Sequence, residues 1–243
     1  MPTLLLSDIH ANLVALEAVL ADAAGQYDRV WFLGDLVGYG PQPNECVERL
    51  RALEPVALSG NHDWAVLGKL DTDEFNAEAR MVVNWTRRTL TTGNRDHLAT
   101  LPPLRVESSF TLAHASPRHP VWEYILDLPT AMDNFAHFDT PCCLVGHTHV
   151  PAVFVLDETA RELSFSLVEH GDVIDLSRHR LIVNPGGVGQ PRDGDPRAAY
   201  ALLDNEAMTL AFRRVAYDVA ATQELMRQHN MPRRLIKRLA HGL

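Results

Sequence analysis

Cysteine is scarce, with three in 243 residues, two of them adjacent. Cys46, Cys142 and Cys143 form no spaced framework, which excludes a disulfide scaffold and a cysteine zinc site. Inside Cys142-Cys143-Leu144-Val145 the adjacent pair reads as two small buried hydrophobes. Positive charge is also short: Lys and Arg number 22 against 31 Asp and Glu, a net charge of -9 with His neutral. Such a chain repels a nucleic-acid backbone, so no polymeric nucleic acid is expected as a partner. To act on a phosphate it must mask its own charge locally, and bound cations would do so. Long apolar runs are missing too. The opening MPTLLLSDIHAN has no basic stretch, and its apolar run is too short for a signal peptide or membrane span. The expected location is the cytoplasm, with no membrane partner. Repeats, low-complexity tracts and long linkers are lacking, so residues 1–243 read as a single domain.

What is present is an alternation. Thr3 to Leu6, Val30 to Leu33 and Pro55 to Leu58 are short apolar runs, each stopped by small polar residues. Between them, Leu13 to Ala24 has helical spacing behind Asn12, and Glu45 to Leu53 follows Asn44 as an expected N-cap. This β-α-β-α-β order predicts a layered α/β core with parallel strands. Residues 73 to 101 read as helix with a break near Gly93, and Leu104 to Val106 with Phe110 to Ala113 as a hairpin. Thr130 to Phe138 is a short expected helix ahead of the Cys142 strand. From Ala152 onward, six short strands predict a second, mostly antiparallel sheet. Asp218 to His229 and Arg233 to Ala240 are helical, with a basic end.

Polar residues of metal-binding type recur just past the ends of apolar strands. Asp8 and His10 follow the first, Asp35 the second, Asn61 and His62 the third; His114, then His147 and His149, follow two later ones. Ligands of open α/β sheets bind in the crevice beyond the strand ends. With His62 set aside, seven donors exceed the roughly three that a single catalytic zinc takes. Two ions about 3.5–4 Å apart with a bridging carboxylate would use them all. Asp35 is the expected bridge, one oxygen facing each ion, and His147 and His149, two apart on a strand, would serve neighbouring ions. Imidazole, carboxylate and amide donors suit Mn, Fe, Co, Ni or Zn, with Mn favoured.

In this order, Ser7-Asp8-Ile9-His10, Gly34-Asp35, Gly60-Asn61-His62-Asp63, the lone His114 and Gly146-His147-Thr148-His149 resemble the calcineurin-like metallophosphoesterase superfamily. The stretches GDLVGYGPQPNECV, HASPRHPVWEYI and NPGGVGQPRDGDPRAAYALLD resemble its small prokaryotic branch of YfcE-like, or diadenosine-tetraphosphatase-like, phosphodiesterases. The resemblance implies a four-layer αββα sandwich of two mixed β-sheets with flanking helices. It implies two divalent transition-metal ions per chain, one held by Asp8, His10, Asp35 and His149, the other by Asp35, Asn61, His114 and His147. His62 would then face the substrate, stabilising the phosphoryl oxygens or protonating the leaving oxygen after in-line attack by a bridging hydroxide.

Three further residues are candidate substrate contacts: Asn12 at a helix N-terminus, and Arg118 and Arg192 in the branch-specific stretches. Asp63 is expected to cap the next helix or to orient His62, and Tyr39 to line the pocket or pack. Gly186-Gly187 makes a tight turn or approaches the site closely. The expected activity is hydrolysis of a small phosphodiester or nucleotide. A dinucleoside polyphosphate hydrolase is an alternative. A Ser/Thr protein phosphatase is less favoured, because Gly38-Tyr39-Gly40 stands where that branch carries Asp-Arg-Gly. The different-class alternative is a non-catalytic metal-binding scaffold, and a homo-oligomer is compatible with the sequence.

Overall fold

The computed structural model describes residues 1–73 and 75–243. In chain order it contains β1 (Thr3–Leu6), α1 (Leu13–Asp22), β2 (Arg29–Phe32), α2 (Pro43–Arg51), β3 (Val56–Ala57), α3 (Asn61–Leu67), α4 (Ala77–Thr89) and α5 (Thr92–Ala99). There follow β4 (Leu104–Glu107), β5 (Phe110–Ala113), α6 (Leu128–Phe135), β6 (Cys142–Leu144), β7 (Ala152–Asp157) and β8 (Glu162–Leu167). The last elements are β9 (Val173–Asp175), β10 (Arg180–Asn184), β11 (Ala198–Asp204), β12 (Thr209–Val215), α7 (Val219–Gln228), α8 (Arg233–Arg238) and a 3₁₀ turn over Leu239–His241.

Two mixed sheets form, ordered β3-β2-β1-β11-β12-β9 and β4-β5-β6-β10-β7-β8. Strands β1, β2 and β3 are parallel, as their alternation with helices predicts. The period of two along each strand sorts side chains between layers. Leu5, Trp31 and Leu33 meet Phe110, Leu112, Cys142 and Leu181 between the sheets. Leu4, Leu6, Val30 and Phe32 point the other way, onto Leu16, Val19, Val47 and Val83 of the helices. On the far side, Cys143, Val145 and Ile182 pack against Ala131 and Phe135 of α6. The four layers are thus helices, sheet, sheet and helix, and the adjacent cysteines are buried on opposite faces.

The strands after Ala152 do not make a sheet of their own. β7, β8 and β10 complete the second sheet, while β9, β11 and β12 complete the first. The reason lies in β11, which is buried on both faces from Ala198 to Leu203 and so cannot occupy an edge. It pairs antiparallel with β1, Leu5 opposite Ala201. Local boundaries also shift. Pro43 starts α2 with Gln42 as the cap, since proline's fixed φ suits the first turn. Asn44 instead bonds the Thr89 carbonyl and the Thr91 N–H at the α4–α5 junction. The helical break falls there and not at Gly93, because the Thr91 side chain caps α5. Asp127 likewise starts α6 at Leu128, ahead of the expected Thr130. Among the described residues no helix is long and apolar enough to cross a membrane.

Candidate metal centre

The ends of β1, β2, β3, β5 and β6 deliver their polar residues to one place. Asp8, His10 and His149 each offer a donor atom within 4.8 Å of the others, and so do Asp35, His114 and His147. The chain reverses direction as it leaves each strand, and the backbone shows the cost. Asp8, His10, Asp35, His147 and His149 all adopt left-handed φ, between 48° and 66°. Such conformations cost about 1–2 kcal/mol each in a non-glycine residue and concentrate at functional sites. The turns are stitched together: Asp8 N–H donates to Gly34 O, His10 N–H to Asp35 O and Gly146 N–H to His114 O. His147 and His149 lie beyond the end of β6, on this left-handed turn. Their convergence comes from the turn and not from strand alternation.

Backbone carbonyls orient the rings. The Nδ1 atoms of His10, His114 and His149 face Val37 O (3.2 Å), Leu33 O (2.8 Å) and Gln190 O (2.5 Å). A proton on each Nδ1 satisfies these carbonyls and leaves Nε2 as a bare lone pair. His147 is reversed: its Nε2 lies 3.2 Å from Trp122 O, which leaves Nδ1 to face the centre. His10 Nε2 and His149 Nε2 are only 3.1 Å apart, and Asp8 Oδ1 is 3.2 Å from His149 Nε2. Asp8 Oδ2 is satisfied by Ser7 Oγ (2.6 Å) and His147 N–H (3.0 Å), while buried Oδ1 has no hydrogen-bond partner. Three acceptors facing one another without a proton between them repel, and a cation removes the conflict. Metal–ligand distances near 2.1 Å place neighbouring donors roughly 3.0–3.4 Å apart, so the residues fit a metal ion.

Asp35 departs from the expected geometry. Its Oδ1 accepts the His62 N–H (2.9 Å), so its two oxygens do not face two ions. Oδ2 alone stands between the clusters, 3.5 Å from His10 Nε2 and 3.6 Å from His114 Nε2. Asn61 Oδ1 lies 3.2 Å from His114 Nε2. Burial first, then Asp63 and Asp8, pushes the Asp35 carboxyl well up. Burial also raises Asp8, but His149 and the other nearby imidazoles outweigh it and hold Asp8 well down. His10, His147 and His149 are held below the usual imidazole range, mainly by burial.

His62 sits at the N-terminus of α3, its ring 4.3 Å from Tyr39, 4.9 Å from His10 and 5.1 Å from Phe75. Its Nδ1 is buried without a partner, and burial holds its pKa well down. Gly38, at φ +92°, lets the backbone pass here; a Cβ would lie 2.5 Å from His62 Nδ1. Asp63 does more than cap α3. It accepts N–H groups from Asp35 (3.0 Å), Leu36 (3.3 Å), Val37 (3.0 Å) and Gly60 (2.9 Å), locking the Asp35 loop to the start of α3.

The family model of the calcineurin-like phosphoesterase superfamily domain matches residues 1–208. The chain belongs to this superfamily. The phosphoesterase is thus a hydrolase of a dimetal-dependent superfamily, and its aspartates and histidines are clustered to suit metal binding. Its fold superimposes on a metallophosphoesterase from Sphaerobacter thermophilus with a TM-score of 0.92, at 49% identity over 100% of this chain and 99% of that one. It is 36% identical to an uncharacterized protein of Methanocaldococcus jannaschii, over 98% of this chain and 96% of that protein. A symmetrical bis(5'-nucleosyl)-tetraphosphatase of Pectobacterium atrosepticum is 31% identical over 54% of this chain, a match spanning 47% of that protein.

The expected substrate contacts of the phosphoesterase divide. Asn12 caps α1: its Oδ1 accepts Ala15 N–H and Thr222 Oγ1–H, and its Nδ2 donates to Gly189 O. Arg118 is engaged by Glu123 and Asp133, two carboxylates that neutralise it. Arg192 has no such partner among the described residues; its guanidinium lies 5.6 Å from the Tyr39 ring and its Nη2 donates to Gln190 Oε1. Tyr39 lines the site, and Gly187 brings backbone against the His149 ring, where a Cβ would sit 3.1 Å from His149 Cβ. Sequence reasoning passed over Ser7, Trp122 and Tyr124 as neighbours of the centre. Tyr124 lies with its ring 3.9 Å from that of His147. Serine directly before Asp8 was the one available signal, since a hydroxyl there can donate to the carboxylate.

Proposed function

We propose that the centre holds two divalent ions and hydrolyses a small phosphodiester or nucleotide phosphate. Asp8, His10, Asp35 and His149 would hold one ion, and Asp35, Asn61, His114 and His147 the other. The observation that carries this reading is Asp35 Oδ2, nearly equidistant from an imidazole of each cluster. The donor set suits Mn, Fe, Co, Ni or Zn, and Mn is our first choice. When bound, such a pair lowers the pKa of a coordinated water and clamps phosphoryl oxygens.

The chain's own residues supply the rest. His62 is walled by Tyr39, Phe75 and His10, and its buried Nδ1 lies against Gly38, which leaves Nε2 as the nitrogen to meet a substrate. It donates a hydrogen bond to a phosphoryl oxygen, or a proton to the leaving oxygen, in-line with attack. Asp35 Oδ1 fixes the His62 backbone, so bridge and donor move as one unit. Arg192 contributes positive charge at the rim, where an acidic protein must attract an anion. The tetraphosphatase relative supports a nucleotide substrate. The protein-phosphatase reading is weaker. Tyr39 stands where that branch carries its arginine, and at Gly38 a Cβ would lie 2.5 Å from His62 Nδ1. Three buried free cysteines fit a reducing compartment, and we place the enzyme in the cytoplasm.

The test is hydrolysis of bis(p-nitrophenyl) phosphate and p-nitrophenyl phosphate by metal-stripped protein, before and after Mn²⁺. Recovery by metal with preference for the diester is expected. Activity on the monoester alone would replace diesterase with phosphatase. Inactivity on both at full occupancy with Mn²⁺, Ni²⁺ or Co²⁺ would favour a non-catalytic scaffold.

A further inference from the structure

Between β5 and α6 the chain runs through residues 114–127 without a helix or strand. Pro117 and Pro120 lie in this stretch and take backbone donors out of it. Yet the segment serves the centre at both ends. His114 opens it, with Ser116 two residues on. Further along, the Trp122 carbonyl lies 3.2 Å from His147 Nε2, and the Tyr124 ring lies 3.9 Å from that of His147.

Glu123 stands between these two contacts and gathers the donors of the segment. Its Oε2 accepts the Ser116 hydroxyl (2.7 Å) and an Asn134 Nδ2–H (2.8 Å). Its Oε1 accepts Arg118 Nη2–H (2.5 Å) and Nε–H (3.1 Å). Asn134 is a buried residue of α6, and its Oδ1 accepts the Arg118 backbone N–H (3.1 Å). Burial alone would raise the Glu123 carboxyl, but its bonds from Arg118, Asn134 and Ser116 outweigh that and hold it at about 2. The bonds are therefore charge-assisted, the stronger kind. One carboxylate ties the strand end that delivers His114 to the stretch that holds His147, and fastens both to α6.

The other cluster is braced from elsewhere. His10 and His149 lean on the carbonyls of Val37 and Gln190, and Asp8 accepts from Ser7 and the His147 backbone N–H. The hydrogen bond on the far nitrogen of a ligating histidine fixes its ring and its basicity. Support for the two ion positions is thus unequal. On the His114 and His147 side it runs through an irregular segment whose bonds converge on a single side chain.

We propose that Glu123 is a positioning residue for one ion of the pair, setting how tightly Asp35, Asn61, His114 and His147 hold it relative to the other ion. It acts through Ser116 on the His114 side and through Trp122 and Tyr124 on the His147 side. Arg118 serves this brace and not the substrate. The inference rests on the two-ion reading of the centre.

The test is a Mn²⁺ titration of metal-stripped wild type, E123Q and D133N. Electron paramagnetic resonance separates a single Mn²⁺ from an exchange-coupled pair, and calorimetry gives the two affinities. In E123Q the amide NH₂ must face Arg118 or Asn134, which are donors themselves, so the brace opens on one side whichever way it turns. E123Q should weaken the second ion about 10–100-fold and the first by less than about threefold. At a Mn²⁺ concentration that gives the coupled pair in wild type, E123Q should show the single-ion signal, and more Mn²⁺ should restore the pair. D133N alters only the exposed outer partner of Arg118 and should match wild type. If E123Q does not fold, S116A removes only the tie toward His114 and should weaken the second ion roughly three- to tenfold. A second affinity within about twofold of wild type in the folded variant overturns the proposal. So does equal weakening of both ions together with a lower melting temperature, which is what a merely structural role gives. A wild type that shows no coupled pair at saturating Mn²⁺ overturns the two-ion reading and the proposal with it, whereas a normal pair in both proteins overturns the proposal alone.

Discussion

Replacing Asp63 with asparagine removes the charge at the point where two loops of the centre are joined. Its Oδ2 accepts three N–H groups, from Asp35, Leu36 and Gly60, and its Oδ1 accepts one, from Val37. The least damaging orientation of the amide turns its NH₂ toward Val37. Even then two donors face each other inside the protein, and an unsatisfied buried donor costs about 1–3 kcal/mol. The three remaining bonds change from charge-assisted to neutral, at roughly half their strength. Together these losses come to about 3–5 kcal/mol, a large share of the roughly 5–15 kcal/mol that holds a domain folded. For a chain of this size each kcal/mol shifts the melting temperature by about 2–4 °C, so D63N should melt roughly 6–20 °C lower. The Asp35 loop also loses its anchor, and loss of such a supporting contact typically weakens metal binding about 10–100-fold. Thermal denaturation and a Mn²⁺ titration measure both effects. A variant that melts within about 2 °C of wild type and binds Mn²⁺ equally well refutes the assignment of Asp63 as the clamp.

His62→Ala should retain its metals, since the ring is outside both proposed ligand sets, yet lose about 10²–10⁴-fold in turnover. Near-normal activity at full occupancy would remove His62 from the chemistry. Gly38→Ala should lower activity with intact metal content, because its Cβ meets the His62 ring at a left-handed backbone position; unchanged kcat would count against that wall. Acid should destabilise the metal-stripped protein below about pH 6.5, the unfolded pKa of histidine. Burial holds His10, His62, His147 and His149 below that value, so unfolding takes up protons that the folded state refuses. With up to four protons the slope reaches at most about 5 kcal/mol per pH unit. Asp35 and Asp63, raised by burial, work against it by holding protons in the folded state. A melting temperature that stays flat from pH 7 to about pH 5.5 would contradict this balance.

The parallel β1–β2–β3 half and its helices were legible because each run is apolar and stopped by polar residues, a local pattern. The partition of the later strands was not. β7 and β11 both read as short apolar strands, and nothing within either states which sheet will receive it. Only the burial of Ala198 to Leu203 on both faces decides that β11 enters the centre of the first sheet. Helix starts misread for a related reason: Asn44 is a good cap in isolation, but its carboxamide is used by Thr89 and Thr91, 45 and 47 positions along the chain.

The sequence by itself determined which polar residues gather at the centre. Asp8, His10, Asp35, Asn61, His114, His147 and His149 each follow a strand, and strand ends converge in an open sheet. Tertiary structure decided how those donors point. The single-oxygen position of Asp35, the reversed ring of His147 and the four-way clamp at Asp63 depend on backbone N–H and carbonyl groups, which every residue carries and no side-chain pattern records. The same holds for substrate contacts. Arg118 and Arg192 are alike in the sequence, and only folding gave one of them two carboxylates and placed the other beside Tyr39. Charge pairing is a property of neighbours in space, and those neighbours come from distant parts of the chain.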